Sequence, residues 1–200
     1  MKAYEGVTAG NCYLHVIDVQ ERLMQQIEGA EQVASVVAMM MKCASIMDIP
    51  VLANTQYKKG LGPYLPELEE LAATLARPDK VEFNAFANTE TVALVERLPR
   101  TVQHVILVGV ETHICIYQTA MGALARGLTP WIVSDGVGSR RTDHHRAGLA
   151  RLAACGARVG PAEMLIYELL GRAATPEFKK VLPLILAQSQ VVRQDDDAPH

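Results

Sequence analysis

The chain has 200 residues, half of them apolar, and a formal net charge of −3. This suits one soluble domain (1–200, core 12–187, tail 188–200), gives nucleic acid no basic footprint, and leaves no uncharged run near the roughly 18 residues of a membrane span. The four cysteines form no Cys-x-x-Cys pair, and Met1 to Glu5 lack the apolar segment of a secretory signal, so a cytoplasmic protein without a zinc ribbon or redox motif is expected.

In chain order, 12–17 is an apolar run that reads as a buried strand closed by Asp18. A helix follows over 30–47, with Val33, Val36, Val37, Met40 and Met41 on one face. Its methionines suit packing better than cofactor binding. A second strand covers 51–55. The Gly- and Pro-containing loop 58–66 is a candidate lid or interface. A helix over 67–75, a short strand around Lys80 and a helix over 89–98 lead to a fourth strand at 104–110. A helix over 116–126, a strand at 129–134 and a short strand at 157–159 follow. Helices over 162–170 and 176–187 complete the domain. The alternation calls for an α/β architecture, a three-layer α/β/α Rossmann-like fold with a six-stranded, mainly parallel sheet. The apolar run 181–187 and the acidic tail at 195–197 suggest self-association, most simply as a dimer.

Open α/β sheets place their sites at the carboxyl ends of strands, and one residue there stands out. Cys115 follows the fourth strand in the turn Gly109-Val110-Glu111-Thr112-His113-Ile114-Cys115, at the start of the next helix. Free backbone N–H groups and the helix dipole there favour an anion, so the thiol is expected to ionise readily. Most cysteines so placed are small core residues; company is what makes this one a candidate. Asp18 closes the first strand and can accept a proton, or else simply cap the following helix. Lys80, just before Phe83 and Phe86, supplies a cation that would favour the thiolate.

Asp18-Val19-Gln20, Lys80 with its aromatic segment, and Gly109, Thr112, Cys115, Thr119 and Ala120 together resemble the isochorismatase-like cysteine hydrolase superfamily. The stretch Gln56-Tyr57-Lys58-Lys59-Gly60-Leu61-Gly62-Pro63 looks most like the isochorismatase-domain-containing proteins. The resemblance implies a hydrolase acting on a small molecule, at an amide-type C–N bond, through a thioester on Cys115. Asp18 would move the proton, and Lys80 would hold both. It also implies a cis peptide between Val110 and Glu111, which would aim the N–H groups of Glu111 and Cys115 at one oxyanion. Gln20, Phe83, Phe86, His113, Tyr117 and Gln118 would line the pocket.

Nicotinamidase-type relatives bind a metal through histidines in the loop after the second strand. Here that loop, Asn54 to Gly62, has none, so no metal or other cofactor is expected. His15 reads as a satisfied core residue, His104 as a solvated strand start, and His113 as a candidate to tune Cys115. His144 and His145 point about 100° apart on a helix and make poor joint ligands. A dinucleotide site is disfavoured, because Gly136-Val137-Gly138 is followed by Arg141 where a third glycine belongs. The competing reading is a non-catalytic scaffold, with Glu111 and Asn84 marking a reshaped pocket.

Overall fold

A computed structural model describes residues 6–196, with side chains described through residue 188. In chain order the elements are β1 (Cys12–Ile17), α1 (Glu21–Met24), α2 (Ala30–Ile46), β2 (Val51–Gln56), α3 (Lys58–Leu61) and α4 (Pro66–Leu71). Next come β3 (Asp79–Lys80), a 3-10 turn (Ala85–Ala87), α5 (Thr89–Val95), β4 (His104–Val110) and a π-helical turn (Thr112–Ile116). The chain continues through α6 (Tyr117–Ala125), β5 (Thr129–Gly138), α7 (Thr142–Ala154), β6 (Arg158–Gly160), α8 (Ala162–Leu170) and α9 (Pro176–Asp196).

The six strands run in the order β3-β2-β1-β4-β5-β6 and all pair in parallel. Strictly parallel sheets need cover on both faces, and the alternation along β1 shows how the residues are divided. Cys12, Leu14 and Val16 face a cluster built with Val33, Val36, Val37 and Met40 of α2, and with α8 and α9. Tyr13 and Ile17 face the opposite cluster, with Ile116, Ala120 and Ala123 around α6 and Leu152 of α7. This is the expected three-layer α/β/α fold.

The strand order reverses direction between β1 and β4. The crevice at such a switch point, beyond the carboxyl ends of the strands, is where doubly wound sheets bind ligands. Here those two ends carry Asp18 and the Cys115 turn.

Several boundaries differ from expectation for local reasons. β5 runs on to Gly138, because a register shift between Leu107 and Gly109 lets Val137 and Gly138 rejoin β4. The helix over 67–75 stops at Leu71, while the loop after β2 holds the short α3. His104 is buried at 3% exposure, because β4 is central and pairs there with both Cys12 and Thr129. Residues 188–196 continue α9 past Pro183 instead of forming a tail, and residues 197–200 lie outside the described residues. Val181 and Ile185 of the apolar run are buried within the chain against this core, and Leu186 is exposed.

Candidate active site

Asp18 leaves β1 with φ at 56°, a left-handed conformation uncommon for a side-chain-bearing residue. Its N–H donates to Asn54 O at 3.2 Å, and its own carbonyl accepts Gln20 N–H at 2.8 Å. The chain thus turns sharply, and the carboxylate is left fully buried beside β3. Lys80, on the two-residue β3, donates from Nζ to Asp18 Oδ2 at 2.6 Å and to Gln56 Oε1 at 2.6 Å. Both side chains of this ion pair have no solvent exposure.

Cys115 reaches the pair because β4 and β1 approach closely. Gly109 has φ at 110°, and a Cβ there would lie 2.0 Å from Ile17 O, so only glycine lets the strands meet beside Asp18. The Val110–Glu111 peptide is cis. The chain then enters the π-helical turn, in which Ile114 and Ile116 both donate their N–H to Glu111 O, at 3.0 and 3.1 Å. α7 braces this turn at Gly148, where a Cβ would meet His113 N and Cα at 3.2 Å. The Cys115 thiol is close enough to interact with the Asp18 carboxylate, and the Glu111 backbone favours its ionised form. Asp18 Oδ1 has no hydrogen bond of good geometry among the described residues, which leaves it as the acceptor beside the thiol.

The electrostatics correct one expectation. Burial, reinforced by the Asp18 charge, pushes the Cys115 thiol up to about 12, and the nearby Lys80 only partly offsets this. Cys12 and Cys43 are also pushed up to about 12, by burial alone. The resting Cys115 is therefore a thiol. A helix start does favour an anion, but the loss of water outweighs it. Burial also raises the Asp18 carboxyl above its ordinary value, against the pull of Lys80. A raised carboxyl is a better acceptor for a thiol proton, so the pair suits proton transfer during attack.

The remaining expected residues separate into two groups. Phe86 is buried, edge-on to His15 at a centroid distance of 6.5 Å, whereas Phe83 is half exposed. Gln118 is half-buried. Tyr117 is half-buried and interacts with Arg151 of α7. Gln20 spends its amide within the protein, accepting Gln56 N–H at 2.6 Å and donating to Gly62 O at 2.8 Å. It shapes the site and has little left for a substrate. His113 Nδ1 pairs with Ser139 Oγ at 3.0 Å, its ring lies 4.8 Å from that of His144, and His145 Nδ1 meets Thr112 Oγ1 at 2.9 Å. These histidines hold the outside of the cysteine turn. Glu111 is buried and binds the backbone N–H and Nε of Arg140. Asn84 accepts Phe86 N–H and so caps the 3-10 turn.

Two residues were not anticipated. Gln56 is the second acceptor for the Lys80 ammonium. Asn54 is a hub, donating to Pro78 O at 3.0 Å and to Thr91 Oγ1 at 2.8 Å. Its Oδ1 pairs with His15 Nε2 at 2.7 Å. Because both amide hydrogens go to oxygens, Oδ1 must accept from His15 Nε2–H, and burial, which lowers the ring's pKa to about 4, favours the neutral form. The only advance signal was polarity at strand positions that should have been apolar.

Cavity size does not mark the site. A groove of about 600 Å³ lies at the amino end of the sheet, lined by Met41, Ile46, Val51, Leu71, Leu75 and Leu184. It holds no paired titratable groups, whereas the buried cluster of Asp18, Lys80 and Cys115 does, and chemistry is the better guide. Among the described residues no three His, Cys, Asp or Glu side chains gather in a way that could hold a metal ion.

Known proteins resemble this chain along most of its length. The isochorismatase domain model matches residues 12–164. Isochorismatase domain-containing protein 1 of Salmo salar is 37% identical over 86% of this chain, which spans 60% of that relative's length. Isochorismatase domain-containing protein 2A of Mus musculus is 36% identical over 86% of this chain and 81% of its own. Among solved structures, one described as the MAR1 ribonuclease of Caenorhabditis elegans is 33% identical, with a TM-score of 0.82 over 91% of this chain and 93% of that one. The ycaC gene product of Escherichia coli, described as an octameric hydrolase of unknown specificity, shares the fold at 19% identity, with a TM-score of 0.85 over 98% of both chains. The chain belongs to the isochorismatase family.

Proposed function

We propose that this protein is a hydrolase of a small amide-type C–N bond, working through a thioester on Cys115 without a metal. The observation that carries the reading is the convergence of Asp18, Lys80 and Cys115 at the switch point of the sheet. In the first step the thiol proton passes to Asp18 Oδ1 as sulfur attacks the carbonyl carbon. The N–H groups of Glu111 and Cys115 take the developing oxyanion, a contribution that typically reaches about 3–4 kcal/mol per donor. The C–N bond then breaks, and Asp18 returns the proton to the departing amine. In the second step a water gives Asp18 a proton and attacks the thioester. The C–S bond breaks, and the sulfur recovers the proton from Asp18. Lys80 keeps the carboxylate in place throughout. The absence of histidine from residues 54–62 supports a route in which the thiol, and no metal-bound water, is the nucleophile.

The ribonuclease name borne by one relative suggests a phosphodiester substrate. A net charge of −3 and a buried thiol suit an acyl carbon better than a polyanion. A scaffold reading draws on one observation, the full burial of Asp18 and Lys80 and the near-complete burial of Cys115. The ion pair beside the thiol favours catalysis, since leaving buried charges in a site without use is costly.

Ammonia release from a panel of small amides tests the reading directly. Turnover by the native chain that vanishes in Cys115→Ala is the expected result. Turnover surviving in Cys115→Ala, or lost with a chelator and restored by zinc, would overturn it. RNA cleavage with no amide turnover would favour the other chemistry.

We also propose that the protein acts in the cytoplasm as one domain that self-associates. Exposed Met164, Tyr167 and Leu186 and the octameric fold relative support association. Light scattering at micromolar concentration should give a multiple of the 21.8 kDa chain mass. A single chain mass would end that part of the proposal.

A further inference from the structure

The ammonium of Lys80 is held by a residue outside the triad, and that residue is tied through Gln20 to the loop after β2. Gln56 Nε2 donates to Val81 O at 3.0 Å. With its nitrogen so committed, the amide must present Oε1 to Lys80, which it does at 2.6 Å. The backbone N–H of Gln56 is gripped by Gln20 Oε1 at 2.6 Å, and Gln20 Nε2 donates to Gly62 O at 2.8 Å. The same loop touches the strand ends twice more. Gln20 forms an antiparallel bridge with Tyr64, and the Tyr64 hydroxyl donates to Asn54 O at 2.6 Å. A continuous path of hydrogen bonds thus runs from Gly62 through Gln20 and Gln56 to Lys80, and on to Asp18.

We infer that Gln56 is a positioning residue for Lys80, and that Gln20 makes the ammonium's position depend on residues 57–65. The inference rests on the triad reading proposed above. A buried ammonium with only Asp18 as partner would lean wholly on that carboxylate and make it a poorer base. The neutral Gln56 oxygen shares the ammonium without adding a charge. A substrate that moved the loop would move Gly62, and through the two glutamines the triad cation. The loop is thereby a means of tuning the site.

The charged and titratable groups around this cation come from several elements. Asp79 acts on Asp18 from β3, and Tyr64 feels the Asp18 charge from the loop. His15 and Glu82 feel Lys80 from β1 and from the segment after β3, and Cys115 feels it from the turn. A pH profile must be compared with the native chain so that these contributions cancel.

The test is iodoacetamide alkylation of Cys115 in the full chain, followed site by site with mass spectrometry from pH 6 to 10. Gln56→Met keeps the length and removes the acceptor, and should slow alkylation about ten- to hundredfold at every pH. Gln20→Met should slow it in the same direction by less. Gln56→Glu should react like the native chain while its carboxyl is protonated, then about tenfold more slowly once charged, so its rate relative to native falls as pH rises. A purely structural role would give pH-independent loss in Gln56→Glu. That result, or native rates in Gln56→Met or Gln20→Met, would overturn the inference. Circular dichroism identifies a variant that has failed to fold, and Gln56→Glu, isosteric when protonated, then decides. Asp18→Asn separates the two readings. If it lowers amide turnover while the glutamine variants alkylate at native rates, only this inference fails. If it leaves amide turnover unchanged, the triad reading fails and takes this inference with it.

Discussion

The two faces of the sheet are built from one strand pattern, yet they do different work. Toward α2, α8 and α9, β1 presents Cys12, Leu14 and Val16 to an apolar cluster rich in methionine. Toward α6 and α7 it presents Tyr13, His15 and Ile17, and there the burial includes polar groups. Burial on the first face needs only volume and shape. On the second it also needs partners, because a polar group taken from water without a hydrogen bond costs free energy. Asn54 supplies such partners for His15, Pro78 and Thr91. The second face is therefore more exacting, and it abuts the site. Substitutions on one face should change stability alone, whereas those on the other should change stability and chemistry together.

The largest effect is expected at Asp18. Asp18→Asn keeps the shape and removes the proton acceptor, so turnover on whichever amide the screen identifies should fall about 10²–10⁴-fold. A loss smaller than tenfold would show that another group moves the proton. Lys80→Met comes next and touches both properties. It leaves a fully buried carboxylate without its cation, a change that typically costs about 3–5 kcal/mol. The sign of its pH dependence follows from Asp18. Without Lys80 the folded carboxyl holds its proton well above the ordinary value of 3.8, whereas the unfolded one releases it there. Stability of the variant should thus fall as pH rises from about 4, in urea titrations at a series of pH values. A pH-independent loss would mean that Asp18 finds another partner.

On the apolar face, Met40→Ala removes a side chain that is 2% exposed. It should cost about 2–5 kcal/mol in the same titrations. The Cys115 alkylation rate should not change. If that rate moved severalfold, the two faces would be coupled, and the division drawn here would be wrong.

The comparison also explains what the sequence could reveal. The apolar runs of β1 and β4 and the helical spacing in α2 determine the layers, because burial on a simple apolar face is written in hydrophobicity. The meeting of Asp18, Lys80 and Cys115 was legible because all three stand at strand ends, which such sheets bring to one edge. Gln56 and Asn54 were not, since an amide near a strand end looks the same whether it meets water or a buried ammonium. The ionisation of Cys115 was misjudged for a related reason. The helix start is visible in the chain, but the depth of burial that outweighs it depends on how β1, β4 and α7 close around the turn. The length of β5 depended on a register shift with β4, a relation between strands that neither strand's composition records.

The smallest and most specific effect is expected at His15, the polar residue at the centre of the second face. It is fully buried, and burial lowers its pKa to about 4 from an ordinary 6.5, with its bond to Asn54 offsetting part of the shift and Lys80 adding to it. The unfolded chain takes up a proton near pH 6.5, and the folded chain does not until about 4. Acid therefore favours the unfolded state across that window. The stability this residue contributes is complete above about pH 6.5 and is lost as pH falls toward 4, a change on the order of 3 kcal/mol. His15→Phe removes the titrating group and keeps a flat ring beside Phe86, although it strands the Asn54 oxygen that His15 now satisfies. Its stability should be lower than native at pH 7 and should show a shallower slope between pH 6.5 and 4. The native and variant curves should converge as the pH drops. Parallel curves across that range would place the acid sensitivity elsewhere, with the histidines that brace the cysteine turn as the next groups to replace.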